Sequence, residues 1–210
     1  MRKYIHYLIF LIFSSVTLSS CTPLLLGSAV TAGGLVLTDR RTKGTIVDDR
    51  VAQLTIRAQI RRQYPRLIDL NDATKVSIPA FNVICYNHKV LLVGLVENDH
   101  QRKQLEQIAQ SQKAVTKVYN YLKVYDQRSL ADAANDVFLT SQIRLHLLAA
   151  PGFSPNDVKV MTYSGTTYVF GLLTPEEQRK ASLAISKVPG VRKVVTLYET
   201  FDPQTGRASQ

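Results

Sequence analysis

Histidines and paired carboxylates are the side chains of this 210-residue sequence that could do acid–base or metal chemistry. The four histidines are His6 near the N-terminus, His88 in a predicted hairpin turn, His100 at a predicted helix start and His146 on a predicted helix. Their local spacing matches neither a metal site nor a Ser-His-Asp arrangement. Asp48-Asp49 and Glu176-Glu177 lie at predicted helix starts, where the helix dipole favours negative charge. We therefore predict no catalytic, cofactor-binding or metal-binding residue and no enzyme activity.

The N-terminal segment contains the one covalent modification that the sequence favours. Two basic residues precede the apolar run 4–13, which is shorter than the roughly 20 residues of a membrane-spanning helix. Leu18-Ser19-Ser20-Cys21 follows and resembles a bacterial lipobox. We predict a signal peptide over residues 1–20, cleavage between Ser20 and Cys21, and lipidation of Cys21 with palmitate as one of the chains. The alternative is an ordinary signal peptide that happens to contain a cysteine.

Residues 21–47 are predicted to form a lipidated tether. Thr22 follows the cysteine, and by resemblance to lipoprotein sorting signals it favours the outer membrane over the inner membrane. Arg40, Arg41 and Lys43 are expected to meet anionic headgroups, each contributing about 1 kcal/mol near such a surface. Whether residues 24–37 also contact the membrane stays open, because glycines interrupt this apolar stretch.

Charge and the second cysteine narrow the range of partners. Removal of the signal peptide takes away Arg2 and Lys3 and changes the formal net charge from +10 to +8. For an exported protein, this charge favours anionic lipid or an envelope polymer, and we predict no nucleic-acid partner. Cys85 falls in a predicted strand and has no second cysteine to pair with if Cys21 is lipidated, so we predict a small, buried, apolar role for it.

The elements that would position any site form a repeated unit, which is clearest towards the C-terminus. Two strand-like runs, Val158–Tyr163 and Thr166–Leu173, flank the hairpin-turn signal Ser164-Gly165. Thr174-Pro175-Glu176-Glu177 then predicts a capped helix, because threonine caps, proline suits the first helical position and Glu177 completes a capping box. Residues 191–198 predict a third strand.

The same order of elements occurs upstream. The predicted strands there are 80–86, Lys89–Val96 and 115–125, with a helix start signalled by Asn98 and Gln101. Each copy is preceded by a predicted helix, at 49–60 and at 136–147, and the two helices align at an offset of 87 residues. The first copy carries an insertion between helix and sheet, within residues 61–79.

We therefore predict an α+β protein with two tandem αββαβ domains, each a three-stranded mixed sheet packed against two helices. The predicted boundaries are 48–125 for the first domain, 130–202 for the second and 203–210 for a C-terminal tail. The short connection 126–134 predicts that the domains pack together. Each copy has about 75 residues, enough for a marginal core, so fragment 130–202 is expected to fold alone.

This pattern resembles the BON domain. The residues that carry the resemblance are a hairpin ending in Val93-Gly94 or Phe170-Gly171, a capped helix, and Gly-Val-x-x-Val from Gly190 to Val194. The first copy departs from the pattern, with Ala114 where the last motif has its glycine. Two BON domains behind a lipobox resemble the dual-BON-domain outer-membrane lipoproteins of Gram-negative bacteria.

The resemblance implies a function as well as a fold. It implies a non-enzymatic protein that is lipid-anchored in the outer membrane and faces the periplasm. It also implies that the second BON domain binds anionic phospholipid, such as phosphatidylglycerol or cardiolipin. Support of cell-envelope integrity and an association with the cell division site are further implications.

The helix that opens the second domain carries the candidate membrane-binding residues. At 100° per residue, the core-facing positions are Leu139, Ile143 and Leu147. Phe138 and Leu145 lie on the opposite side with Arg144 beside them, whereas their first-domain equivalents, Val51 and Ala58, are smaller. We predict that Phe138, Leu145 and Arg144 contact the membrane. The alternative is that Phe138 packs against the first domain or the tether.

Two other functions remain open from the sequence. One is a periplasmic protein-interaction adaptor for cell-wall or outer-membrane assembly factors, in which the same helix face would dock a protein. The other is a small-ligand or polysaccharide binder that uses the cleft between the domains. The sequence names no protein partner.

Overall fold

The computed structural model describes residues 39–65, 81–124, 130–152 and 154–208. The predicted signal peptide, its cleavage site at Ser20 and Cys21, and the tether before residue 39 lie outside the described residues. Most of the predicted insertion lies outside them too. Within the described part, the two domains repeat the same order of elements, as the sequence predicts.

The elements of the first domain are α1 (Lys43–Gln63), β1 (Phe81–Tyr86), β2 (Lys89–Val96), α2 (Asp99–Gln110) and β3 (Lys117–Val124). Those of the second are α3 (Leu130–Ala149), a 3-10 turn (Pro155–Asp157), β4 (Val158–Tyr163), β5 (Thr166–Leu173), α4 (Pro175–Ser186), β6 (Lys193–Asp202) and β7 (Arg207–Ala208).

Both sheets are mixed and have the same register. In each domain, the second strand lies in the middle, antiparallel to the first and parallel to the third. Gly94 pairs with Phe81 in the first sheet, and Gly171 pairs with Val158 in the second. The predicted α+β fold with two tandem domains is confirmed.

The C-terminal tail adds a fourth strand to the second sheet. β6 continues to Asp202, and β7 pairs antiparallel with its end through Phe201 and Asp202. The expectation of a plain tail over 203–210 and of a three-stranded second sheet is therefore wrong in this detail. The turn between β6 and β7 is held by Asp202, whose carboxylate accepts the Gln204 N–H at 2.8 Å.

The two long helices begin earlier than predicted. α1 starts at Lys43 with Thr42 as its N-cap, whose hydroxyl oxygen accepts the Thr45 N–H at 3.1 Å. Gly44, a weak helix former, obscures this start in the sequence. α3 starts at Leu130, inside the stretch 126–134 that was predicted to be a linker. The two shorter helices have the predicted caps, Asn98 on α2 and a complete Thr174–Glu177 capping box on α4.

Because α1 begins at Lys43, the pair Asp48-Asp49 lies inside the helix, and the prediction that the helix dipole explains it is wrong. Asp48 is exposed, whereas Asp49 is buried against the β1–β2 hairpin. The Asp49 carboxylate accepts the N–H groups of Asn87 and His88, each at 2.8 Å. Both turn residues have positive φ, at 49° and 62°, so the carboxylate holds a strained turn in place.

The second domain repeats this arrangement. Asp136 of α3 is buried, and its carboxylate accepts the N–H groups of Ser164 at 2.8 Å and Gly165 at 2.9 Å. Each long helix is therefore fastened to its own hairpin by one aspartate. The offset of 87 residues identifies the two aspartates as equivalents, although the sequence does not reveal what they bind.

Each domain has a hydrophobic core between its sheet and its two helices. Residues with no exposed surface in these cores include Ile56, Val83 and Leu105 in the first domain and Ile143, Val169 and Ile185 in the second. These residues lie at the helical and strand positions that the apolar pattern predicts to face inwards.

A third hydrophobic cluster joins the two sheets. It contains Tyr86, Leu91 and Val93 from the first sheet and Tyr163, Tyr168, Phe170, Leu172 and Leu197 from the second. Phe170 stacks on Tyr86 with ring centroids 5.8 Å apart and meets Tyr119 edge-on at 6.0 Å. The sheets are therefore apolar on both faces. The described residues of both domains belong to one compact unit.

Candidate functional site

The outer face of α3 holds the three predicted membrane-binding residues. Phe138 and Leu145 are 59% and 57% exposed, and Arg144 is exposed beside them. On the opposite side of the helix, Leu139 and Ile143 are buried. α3 therefore has the predicted amphipathic orientation, and Phe138 is not covered by the first domain.

Two further apolar residues extend this surface. Val137 is 68% exposed and Leu148 is 52% exposed. At 100° per residue, both lie on the same side of α3 as Phe138 and Leu145. We call Val137, Phe138, Leu145 and Leu148 the docking face. The seven-residue spacing of Phe138 and Leu145 indicates only part of this face, and Val137 and Leu148 are recognised from their exposure in the structure.

The outward side of α1 has more exposed apolar residues than Val51 and Ala58 alone. Its exposed apolar residues are Val47, Val51 and Leu54. However, the offset of 87 residues makes Arg50 the equivalent of Val137 and Arg61 the equivalent of Leu148. The apolar surface of α1 is therefore bordered by arginines and contains no aromatic residue, whereas the docking face of α3 contains Phe138 and has the exposed Ser141 between Phe138 and Leu145.

A cavity of about 640 Å³ lies beside the docking face. Leu145 and Leu148 line it from α3, with Arg144 on the same helix. Arg41 and Lys159 line it from other parts of the chain. Asp39 also lines the cavity and pairs with Arg41, so Arg144 and Lys159 are the cations left to attract the negative headgroup of an amphiphile.

Arg40 does not meet headgroups as expected but binds the second domain. Its guanidinium donates to both Glu177 carboxylate oxygens, at 2.6 and 2.8 Å, and to the Leu172 carbonyl at 3.0 Å. It also lies 4.3 Å from the centroid of the Phe201 ring. Its backbone N–H donates to Asp157 at 3.0 Å.

Arg41 binds the first domain instead. Its guanidinium donates to Asp49 at 2.9 Å and to Asp39 at 2.7 Å, and it lies 4.1 Å from the centroid of the Tyr86 ring. Two adjacent arginines thus bind different domains and link them through ion pairs. The expectation that Arg40 and Arg41 face the membrane is wrong because both charges are neutralised within the protein. Lys43, at the start of α1, is exposed.

Asp157, a partner of Arg40, has a carboxyl group whose pKa lies in the mildly acidic range. Burial raises the pKa of Asp157 to about 6, although the Arg40 N–H and guanidinium act in the opposite direction. Burial also opposes ionisation of Glu177, but its hydrogen bonds from Arg40 and Thr174 lower its pKa below the usual value. The two groups therefore titrate in different pH ranges.

The raised pKa of Asp157 predicts how stability changes with pH. Between an unfolded-state pKa of about 4 and the folded-state value, the folded protein binds a proton that the unfolded chain has lost. Asp157 therefore contributes stability below about pH 4 that is lost as pH rises through about 6. We expect Asp157→Asn to flatten the dependence of the urea midpoint on pH between about 4.5 and 7. An unchanged slope in the variant would contradict this assignment.

Three further features of the described residues concern metal binding, the free cysteine and the helices. No group of three or more His, Cys, Asp or Glu side chains is placed to hold a metal ion in the described part of the chain. Cys85 is buried in β1 as predicted, and burial raises the pKa of its thiol well above the usual value. No helix within the described ranges is both long and apolar enough to cross a membrane.

Comparison with known proteins identifies the family. The BON domain matches residues 53–126 and 135–197, which together exceed half of the chain. The chain belongs to the BON-domain family.

The relatives agree with this assignment. The outer membrane lipoprotein DolP of Haemophilus influenzae is 28% identical over 91% of this chain and 94% of its own length. A 21 kDa hemolysin of Actinobacillus pleuropneumoniae is 28% identical over 75% of this chain and 76% of its own. The osmotically-inducible protein Y of Escherichia coli is 32% identical, but over 50% of this chain. The chain is a DolP-like envelope protein with two BON domains, and its localisation is the outer membrane, lipid-anchored.

Proposed function

We propose that the second BON domain docks on anionic phospholipid through the docking face of α3, while lipid on Cys21 keeps the protein at the membrane. The observation that supports the proposal is the set of four exposed apolar residues on one side of α3, Val137, Phe138, Leu145 and Leu148. Complete burial of such side chains is worth roughly 1.5–3 kcal/mol each, and partial insertion gives less. Exposed apolar stripes of this kind mark interaction surfaces.

Charge and anchoring complete the proposal. Arg144 borders the docking face, and one basic residue contributes about 1 kcal/mol at an anionic surface. This contact is weak alone, but a tethered domain stays at high effective concentration near the bilayer. The protein would act as a non-enzymatic binding module. We extend the proposal to support of outer-membrane integrity and association with the division site, which the two-domain lipoprotein pattern implies.

Vesicle flotation tests the proposed surface. A soluble form that lacks residues 1–36 should float with phosphatidylglycerol vesicles. Phe138→Glu should abolish flotation because it replaces the aromatic residue of the docking face with a charge. The equivalent change Val51→Glu on α1 should alter flotation little. Raised salt should weaken the wild-type interaction by screening its charged part.

Circular dichroism of both variants provides the folding control. Flotation of Phe138→Glu at the wild-type level would contradict the proposed surface. Loss of flotation only through unfolding would also remove its support.

A second candidate is an adaptor that binds cell-wall or outer-membrane assembly factors. The observation that favours it is the exposed group Val47, Val51 and Leu54 on α1. Arg50 and Arg57 lie beside these aliphatic side chains, and apolar surfaces with a charged rim are typical of protein interfaces. A protein crosslinked in cells through position 54, and lost with Val51→Glu, would support this role.

A further inference from the structure

A second groove separates the two domains on the side of their long helices. It has a volume of about 480 Å³. Arg57 of α1, Arg144 of α3 and Lys159 of β4 line it, so that both domains contribute cations. The side-chain amides of Gln53 and Asn82 lie along the same walls. Cations and amide donors together are the groups that bind a phosphate oxygen.

The groove has an excess of positive charge, because Arg57, Arg144 and Lys159 line it with a single carboxylate, Asp136. Arg57 is half-buried and forms no ion pair with any residue that the structure describes. Burial lowers its pKa, and the nearby charges of Arg50 and Arg61 lower it further. An arginine in this position gains from an anion that supplies the missing partner.

Lys159 is in a similar environment. Its Nζ crosses between the domains and donates to the Cys85 carbonyl at 2.9 Å, a contact that leaves its charge unpaired. Burial lowers its pKa and Arg41 acts in the same direction, whereas the charge of Asp49 acts in the opposite direction. Asp136 also lines the groove, where its carboxylate accepts the N–H groups of the β4–β5 hairpin, and its negative charge leaves a net positive charge on the lining.

We propose that this groove binds the phosphodiester of one anionic phospholipid headgroup, held between Arg57 of the first domain and Arg144 and Lys159 of the second. The proposal rests on the docking of α3 on a bilayer. Arg144 lines both this groove and the neighbouring cavity, where Leu145 and Leu148 supply apolar wall. A phosphate in the groove would thus leave its acyl chains beside the docking face.

The proposal divides membrane binding into two parts. Apolar insertion belongs to the second domain alone, through Phe138 and its neighbours. Recognition of negative charge belongs to both domains, because Arg57 lies on α1. The first domain therefore has a role in lipid selectivity, although the exposed apolar residues of its own helix include no aromatic side chain.

The test uses the full chain in an uncharged detergent, with NMR signals of the arginine side chains as the readout. Glycerophosphoglycerol, the headgroup without acyl chains, should shift the Arg57 signal. Micelles doped with phosphatidylglycerol should saturate the same shift, and micelles doped with phosphatidylcholine should not. Arg57→Gln should weaken the response of the remaining groove residues by about fivefold, the effect of one basic group. Arg62→Gln, an exposed arginine on the same helix, should leave it unchanged.

The outcomes separate this inference from the docking proposal. Phe138→Glu should retain the response to glycerophosphoglycerol, because Phe138 does not line the groove. If the wild type docks on vesicles but Arg57→Gln binds headgroup as tightly as the wild type, the groove site is wrong and the docking face stands. A response to inorganic phosphate equal to that to glycerophosphoglycerol, with no response to doped micelles, would contradict the claim that the bound phosphate belongs to a lipid. No response to any phosphate would overturn the site.

Discussion

Replacement of Asp49 by alanine is expected to lower the free energy of unfolding by about 3–5 kcal/mol, the cost of removing one partner from a buried ionic network. The substitution would leave the N–H groups of Asn87 and His88 without their acceptor and the Arg41 guanidinium without one of its two carboxylates. Each unsatisfied buried group costs about 1–3 kcal/mol. Urea denaturation measures the loss directly.

The neighbouring residue is a matched control. Asp48 is exposed, so Asp48→Ala should change the free energy of unfolding by less than about 0.5 kcal/mol. If the pair acted only through the helix dipole, both changes would cost a similar 0.3–1 kcal/mol or so. Equal small losses would therefore contradict the role of Asp49 at the hairpin. Asp136→Ala should resemble Asp49→Ala, because its carboxylate binds the second hairpin in the same way.

Truncation of Phe170 to alanine should have a comparably large effect, about 3–5 kcal/mol. Its ring is buried between the two sheets and contacts Tyr86 and Tyr119 of the first domain. The change would open a cavity in the shared cluster that neither sheet can close alone. Thermal unfolding followed by circular dichroism should show a lower midpoint. Leu183→Ala, on the exposed side of α4, is the control and should change the midpoint little.

The shared cluster also changes the expectation for the isolated second domain. Fragment 130–202 would expose Tyr168, Phe170 and Leu172 to water, all of which are buried in the whole protein. We therefore expect the fragment to aggregate, or to unfold at a lower temperature than the full protein. This differs from the sequence-based expectation of independent folding. Cooperative unfolding of a monomeric fragment near the midpoint of the full protein would contradict the shared core.

Local signals in the sequence predicted most of the fold. The hairpins at Asn87-His88 and Ser164-Gly165 and the caps at Asn98 and Thr174 depend on residues close in the chain. Such features follow from turn and capping chemistry alone. The start of α1 was missed because Gly44 and Thr45 resemble a loop rather than a first helical turn.

Contacts between distant residues were not predictable in the same way. Arg40 bonds Glu177 across 137 positions, and no periodicity links them. The sequence therefore suggested membrane contact for a charge that is neutralised within the protein. The two-sided burial of β5 had a weak signal, since the apolar run of Tyr168, Val169 and Phe170 lacks the alternation of a half-exposed strand.

The outward face of α3 was predictable because helical periodicity separates Phe138 from Leu139 without any knowledge of tertiary structure. The breadth of that face was not predictable, because the exposure of Val137 and Leu148 is known only from the structure. The groove beside it was beyond the sequence, because Arg57 and Lys159 come together only through the packing of two domains.

Paramagnetic broadening by spin-labelled lipid tests the central claim most directly. The soluble form that lacks residues 1–36 would be bound to phosphatidylglycerol bicelles that contain a phospholipid with a nitroxide on its headgroup. We predict that the amide signals of residues 137–148 lose the most intensity, whereas those of residues 47–54 on α1 keep most of theirs. Broadening centred on α1, or spread evenly over both domains, would contradict docking through the face of α3.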